Sequence, residues 1–160
     1  MPPTTPILTA AQRRAIEQDC IALGHAWARA LDFSDQDHFL ELYKEDAVLE
    51  YDGTHAGLEA IAAWIGTRPR AVRTRHVMSN GWVDALDADH ARGIAYVTLW
   101  QAPADGLAPE AAAIADGPVA VGHCQDRFVR GDDGWLFAAR TLRWGIRRGD
   151  AGGRPQDTPQ

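Results

Sequence analysis

Cysteine is scarce in this 160-residue chain: there are two, Cys20 and Cys124, each set in an apolar pattern. A secreted domain of this size more often carries a framework of bridges, so both are read as reduced core thiols of a cytoplasmic protein. Basic residues are also few. Against 22 Asp+Glu stand 16 Lys+Arg, giving a formal net charge of −6 and a pI of about 5.4. Nucleic acid and anionic membrane surfaces both require a concentrated positive face, so neither is an expected partner. No run approaches the ~18 apolar residues of a membrane span, and Met1 to Pro6 has neither the basic nor the apolar region of a secretory leader. Missing too are a phosphate-binding glycine loop, a dinucleotide fingerprint and a GxSxG elbow. The histidines, at 25, 38, 55, 76, 90 and 123, never fall two or four residues apart, so neither a metal nor a cofactor is expected.

Hydrophobic residues make up 46% and charged residues 24%, enough apolar material for a sizeable core. The length fits one domain, placed at 8–148 with flexible tails at 1–7 and 149–160. Thr9 and Gln12 form a capping-box pair, and Ile16, Cys20, Leu23, Trp27 and Leu31 keep helical spacing, which predicts a helix over Ala10 to Leu31. Ser34 or Asp35 caps a second helix that turns Phe39, Leu40 and Tyr43 inward and stops before Ala47. Ala47 to Tyr51 reads as a strand, Asp52-Gly53 as a turn, and Gly57 opens a third helix through Leu58, Ile61 and Ile65. From Arg73 the period becomes alternating, giving long antiparallel strands over 74–85, 93–101, 119–129 and 135–146. Helices first and strands last predict an α+β fold: three N-terminal helices on a strongly curved, cone-shaped, mainly antiparallel sheet. The concavity between them is the expected pocket, with the 103–118 loop as a candidate lid.

Alternation puts His76, Met78, Asn80 and Trp82 on one face of their strand, mixing a titratable group with apolar surface. On the 119–129 strand, one face carries His123 with Val121, Gln125 and Arg127, and the other carries Cys124, Asp126 and Phe128. If the former lines the cavity, His123 enters it. Trp27, Trp100 and Trp144 are candidate pocket walls, and Tyr51, Tyr96 and Asn80 candidate holders of substrate oxygens. The other four histidines read as solvated residues on helix flanks and turns.

Ala30-Leu31-Asp32, Phe39-Leu40-Glu41-Leu42-Tyr43 running into Asp46-Ala47-Val48, Arg75-His76-Val77-Met78-Ser79-Asn80, and Asp126-Arg127-Phe128-Val129-Arg130 leading to Asp133-Gly134-Trp135-Leu136-Phe137 carry a resemblance. From about Ala10 to Trp144 the chain resembles the SnoaL-like branch of the nuclear-transport-factor-2-like superfamily, which includes dehydratases, a dehydrochlorinase, polyketide cyclases and noncatalytic members. The resemblance implies a cystatin-like α+β barrel. It also implies an aspartate at the end of the first helix, Asp32, that orients a histidine base, His76. His123 resembles a second pocket histidine of scytalone dehydratase, and Trp27 stands where several dehydratases carry a tyrosine. The implied activity is a cofactor-independent lyase acting on a small apolar ring or polyketide- or steroid-like substrate. An isomerase or cyclase would use the same base, and a noncatalytic apolar-ligand or oligomeric partner domain is the other alternative. Family habit further implies a homodimer or homotrimer built on the outer sheet face.

Overall fold

The structure is a computed structural model that describes residues 7–69 and 71–149. The expected tails lie outside these residues except for Ile7 and Gly149. Helix α1 (Ala10–Asp32) starts at the predicted capping box, with the Gln12 amide donating to Thr9 Oγ1 at 3.2 Å and the Thr9 amide to Gln12 Oε1 at 2.9 Å. Its stripe of Ile16, Cys20, Leu23, Trp27 and Leu31 is buried, and non-directional apolar burial holds it along the inner face of the sheet.

Asp35 caps α2 (Gln36–Glu41), which is shorter than the sequence suggests because Tyr43 already begins β1 (Tyr43–Glu50). The cause is a distant strand: the Phe137 amide donates to the Leu42 carbonyl at 2.8 Å, and Tyr43 pairs with Phe137. A short strand that the sequence did not signal, β2 (Thr54–Ala56), folds back on β1 across Asp52 (φ 52°) and Gly53 (φ 122°). Helix α3 (Leu58–Gly66) follows, burying Ile61 and Ile65.

Four long strands complete the sheet: β3 (Val72–Ala85), β4 (His90–Pro103), β5 (Pro118–Arg130) and β6 (Trp135–Arg147). Their connections are as predicted. Asp87 accepts from the amides of Asp89 and His90 at 2.8 Å, and Gly131 donates to Gly134 at 2.7 Å. The six-stranded order is β2-β1-β6-β5-β4-β3, with β1 parallel to β6 and the other pairs antiparallel. The expected α+β class, with three helices packed against a curved and mainly antiparallel sheet, is the fold observed.

One local feature redirects side chains. Ser79 pairs with Tyr96 but Trp82 with Ile94, so β3 carries an extra residue there, and Asn80 takes a left-handed φ of 50°. A one-residue bulge reverses the alternation. Trp82 therefore leaves the His76 face and is 52% exposed, correcting the sequence reading. Gly93 makes the bulge possible, because a Cβ there would lie 2.8 Å from the Trp82 carbonyl and 3.1 Å from the Phe128 ring. Gly93→Ala is expected to lower stability by about 1–3 kcal/mol. Gly66→Ala, with open space around its Cβ position, should be neutral or slightly stabilising. Urea denaturation of both checks this, and equal midpoints for Gly93→Ala and the parent would refute the close-approach account.

Candidate active site

Asp32 ends α1 with its carboxylate turned to β3. Oδ1 lies 2.6 Å from His76 Nδ1 and accepts from Thr74 Oγ1 at 2.9 Å, while Oδ2 accepts from the His76 amide at 2.8 Å. Thr74 and His76 are two residues apart on an extended strand, so one carboxylate can reach both. A carboxylate only accepts, which assigns the Nδ1 proton to the bond with Asp32 and leaves the Nε2 lone pair uncommitted in the neutral ring. The His76 side chain is fully buried, that of Asp32 is 6% exposed, and Nε2 has no hydrogen-bond partner among the described residues.

A layer of aromatic rings extends from the imidazole through Trp27. Trp27 meets the imidazole edge-on with centroids 5.6 Å apart, and its indole donates to the Tyr43 hydroxyl at 2.8 Å. Tyr51 packs on Trp27 at 6.4 Å, on Trp64 at 5.3 Å and on Trp144 at 6.0 Å. Burial pushes the Tyr51 phenol up to about 12 and raises Tyr43 as well, so both hydroxyls stay protonated donors at neutral pH. Burial likewise pushes Cys20 up to about 12 and Cys124 to about 11, keeping both as inert thiols.

A second buried pair lies next to this layer. Arg140 donates from Nε and Nη2 to the two oxygens of Asp126, at 2.8 and 2.7 Å, and its guanidinium stacks between Trp27 (4.5 Å) and Phe137 (4.1 Å). Burial alone would depress this guanidinium, but the adjoining Asp126 charge more than offsets it and holds the group above its usual value.

The structure brings Asp32, His76, Trp27, Tyr51, Met78 and Trp144 to the inner face. Asn80 sits at the bulge, at the edge of a cavity of about 140 Å³ between α1 and β3 that Met78 also lines. His123, Tyr96 and Trp100 are corrections. The even-numbered residues of β5, from Ala120 to Phe128, face the core, which puts His123 on the outer face beside its strand partner Tyr96. Trp100 pairs with Arg75 and falls on the face opposite Leu99 and His76. The segment considered as a lid folds back on Arg73, which donates to the Ala108 and Ala111 carbonyls. It borders a groove of about 420 Å³ with Trp100 and Arg75, away from the dyad.

A SnoaL-like domain is matched over residues 9–141. The chain belongs to the SnoaL-like family. None of the curated proteins matches it. Among solved structures, this SnoaL-like chain is similar to a provisional scytalone dehydratase of Novosphingobium aromaticivorans, with 20% identity and a TM-score of 0.74 over 91% of this chain and 94% of that one. It is also similar to a hexachlorocyclohexane dehydrochlorinase, LinA type 2, with 17% identity and a TM-score of 0.70 over 93% and 100% of the two chains. A third likeness is to a Nostoc punctiforme protein of unknown function with a cystatin-like fold, at 19% identity and a TM-score of 0.66 over 87% and 95%. Identities this low establish a shared fold.

Sequence reasoning passed over Thr74, Tyr43 and the Arg140–Asp126 pair. A signal was available for the last: Asp126 shares its face with Cys124 and Phe128, and a lone carboxylate among core residues demands a cationic partner. Removing one member of a buried pair strands the other, whereas removing both does not. Asp126→Leu is therefore expected to cost about 3–5 kcal/mol. The double variant Asp126→Leu, Arg140→Met should lose less than Asp126→Leu alone. Chemical denaturation decides it, and a double variant that loses the sum of the two single losses would contradict the pairing.

Proposed function

We propose that this SnoaL-like protein is a cofactor-independent lyase in which His76, oriented by Asp32, is the general base. One observation carries the reading: Asp32 engages three donors of β3 at once and leaves His76 Nε2 as a buried imidazole nitrogen with no partner. A side chain fixed in tautomer and orientation by a carboxylate, with its other nitrogen uncommitted, is arranged to accept a proton. The structural neighbours named for dehydration and dehydrochlorination support an elimination. Nε2 would take a proton from the carbon next to an activating group, the C–H electrons would form the new double bond, and the leaving group would depart with its own bonding pair. Asp32 would stabilise the imidazolium. With His123 on the outer face, Tyr51, whose ring packs on Trp27 as the base does, is the hydroxyl proposed to protonate the leaving group.

The substrate class is a small, largely apolar ring compound, because the surroundings of His76 are aromatic and aliphatic. Nε2 is closed off in this conformation, so substrate must part the rings beside it to reach the base. An isomerase or cyclase would begin with the same proton removal. A cyclic β-hydroxyketone such as 3-hydroxycyclohexanone separates the readings: elimination releases water and raises enone absorbance, while isomerisation shows only α-proton exchange in deuterated water. His76→Ala and Asp32→Asn are expected to lower kcat by about 10²–10⁴-fold. Turnover that survives both substitutions would remove the dyad from the mechanism.

The reading extends to assembly and location. Val77, Trp82, Tyr96, Trp100 and Ile146 expose apolar side chains on the sheet strands away from the helices, and clustered exposed apolar residues are the usual mark of an interaction surface. A second or third copy of the chain is the proposed cover, making a homodimer or homotrimer. Sedimentation of the parent should give a species larger than 17.5 kDa, and Ile146→Glu with Tyr96→Lys should return it to monomer. A parent that sediments as a monomer at micromolar concentration would end this part. Two free buried thiols fit a reducing, cytoplasmic setting, and no helix among the described residues is long and apolar enough to cross a membrane.

A further inference from the structure

Asp32 sits where a negative charge is disfavoured. Its side chain is 6% exposed, and it occupies the last turn of α1, where the helix presents carbonyl oxygens and its macrodipole opposes an anion. Hydrogen-bond donors offset both effects. The His76 amide donates to Oδ2, and Oδ1 takes both the His76 ring and the Thr74 hydroxyl, the latter at 2.9 Å. Two of these donors belong to the histidine that the carboxylate serves. Thr74 supplies the third from a different residue.

Packing alone does not call for a threonine here. Thr74 is 7% exposed on β3, where a valine would have nearly the same shape and the same β-branched preference for a strand, with no hydroxyl to bury. A buried hydroxyl costs free energy unless it is hydrogen-bonded, and the partner of this one is Asp32 Oδ1. The bond thus ties together two polar groups that the interior would otherwise penalise.

Protonation of the dyad decides whether Nε2 can act as a base. With Asp32 ionised, Nδ1 carries the ring hydrogen and Nε2 keeps its lone pair. One proton added to the pair leaves Nε2 bearing hydrogen whether the carboxyl or the imidazole holds the charge, because a protonated carboxyl would donate to Nδ1. A donor to the carboxylate favours the ionised, base-competent pair over that form. Asp32 is the charged group in contact with His76; Trp27 from α1 and the strand partner Leu99 on β4 are uncharged, and Arg140 stacks on the same indole. We propose that Thr74 is the positioning residue of the dyad, its hydroxyl holding the Asp32 carboxylate ionised and turned to Nδ1 so that Nε2 stays free to accept a proton. The inference rests on the assignment of His76 as base in the lyase reading, but its test reads the imidazole directly.

Two-bond proton–nitrogen NMR of the histidine rings in the full chain separates a ring with hydrogen on Nδ1 alone from one with hydrogen on Nε2, and His76→Gln assigns the His76 signals. At neutral pH the parent is expected to carry hydrogen on Nδ1 alone. Thr74→Val should shift the ring to a form with hydrogen on Nε2, and Thr74→Ala provides the same readout if the valine variant misfolds. Thr74→Ser, which keeps the hydroxyl, should retain the parent pattern. With 3-hydroxycyclohexanone, Thr74→Val should lower kcat about tenfold or more at neutral pH, the factor that one hydrogen bond to a charged group is worth. Most of that loss should return in mildly alkaline buffer, where the added proton is removed; a packing defect would cost the same in both buffers. The proposal is overturned by a parent ring with hydrogen on Nε2, by a folded Thr74→Val or Thr74→Ala whose ring matches the parent, by Thr74→Ser behaving as Thr74→Val does, or by a loss of kcat that is equal in the two buffers. The ring spectra decide it even where the parent turns over no substrate, a result that would fall on the lyase reading alone.

Discussion

The carboxylate of Asp32 decides how the long helix meets the sheet. Apolar burial along Ile16, Cys20, Leu23, Trp27 and Leu31 presses α1 onto the inner face, yet that force has no direction and would tolerate sliding along the helix axis. Three donors from two neighbouring inward residues of β3, all converging on one side chain, remove that freedom. The arrangement runs against local preference. An acidic residue in the last turn of a helix opposes the macrodipole by a few tenths of a kcal/mol or more, so Asp32 is poorly placed for the helix and well placed for the imidazole. A local cost retained where it orients a titratable ring is the pattern found at sites under functional constraint.

Trp27 connects this contact to the rest of the interior. Its ring touches His76 on one side and the Arg140 guanidinium on another, and its N–H is met by the Tyr43 hydroxyl. Tyr43 reaches it because β6 captures the chain directly after α2. A tyrosine at position 27 would bring its own hydroxyl; here the indole occupies that volume and the hydroxyl arrives from β1. The Arg140–Asp126 pair and the Asp32–His76 pair are thereby separated by a single indole, so a substitution that moves Trp27 disturbs both.

Much of this was legible in the chain, for identifiable reasons. The first helix was bounded by a capping box and a stripe of spaced apolar residues, which are local signals. The hairpins at Asp87 and Gly131 were equally local. The early start of β1 was not, because the Phe137 amide that recruits Leu42 lies nearly a hundred residues away. Strand alternation located Met78 with His76 but failed past Ser79, since a bulge leaves no mark in a period-two pattern beyond a suggestive Asn80-Gly81. Parity also misled at His123. Both faces of β5 mix polar and apolar residues, and the buried face hides Asp126 because Arg140, fourteen residues on, supplies its counter-charge. Asp32 and His76 were recognisable by resemblance, while Thr74, the third partner of that carboxylate, becomes visible only when the helix end and the strand are brought together.

Among the described residues, the Asp32–His76 and Asp126–Arg140 pairs each leave one buried atom without a protein partner: Nε2 of His76 and Nη1 of Arg140. A buried polar atom met by neither protein nor water costs about 1–3 kcal/mol, a substantial share of a small domain's net stability. A purely structural role would be met more cheaply by aliphatic residues of the same volume, as replacement of buried ion pairs in other proteins indicates. The two unpartnered atoms also differ in kind. His76 offers a lone pair and Arg140 a hydrogen. Both polar pairs meet at Trp27, so a change in its packing alters the surroundings of each.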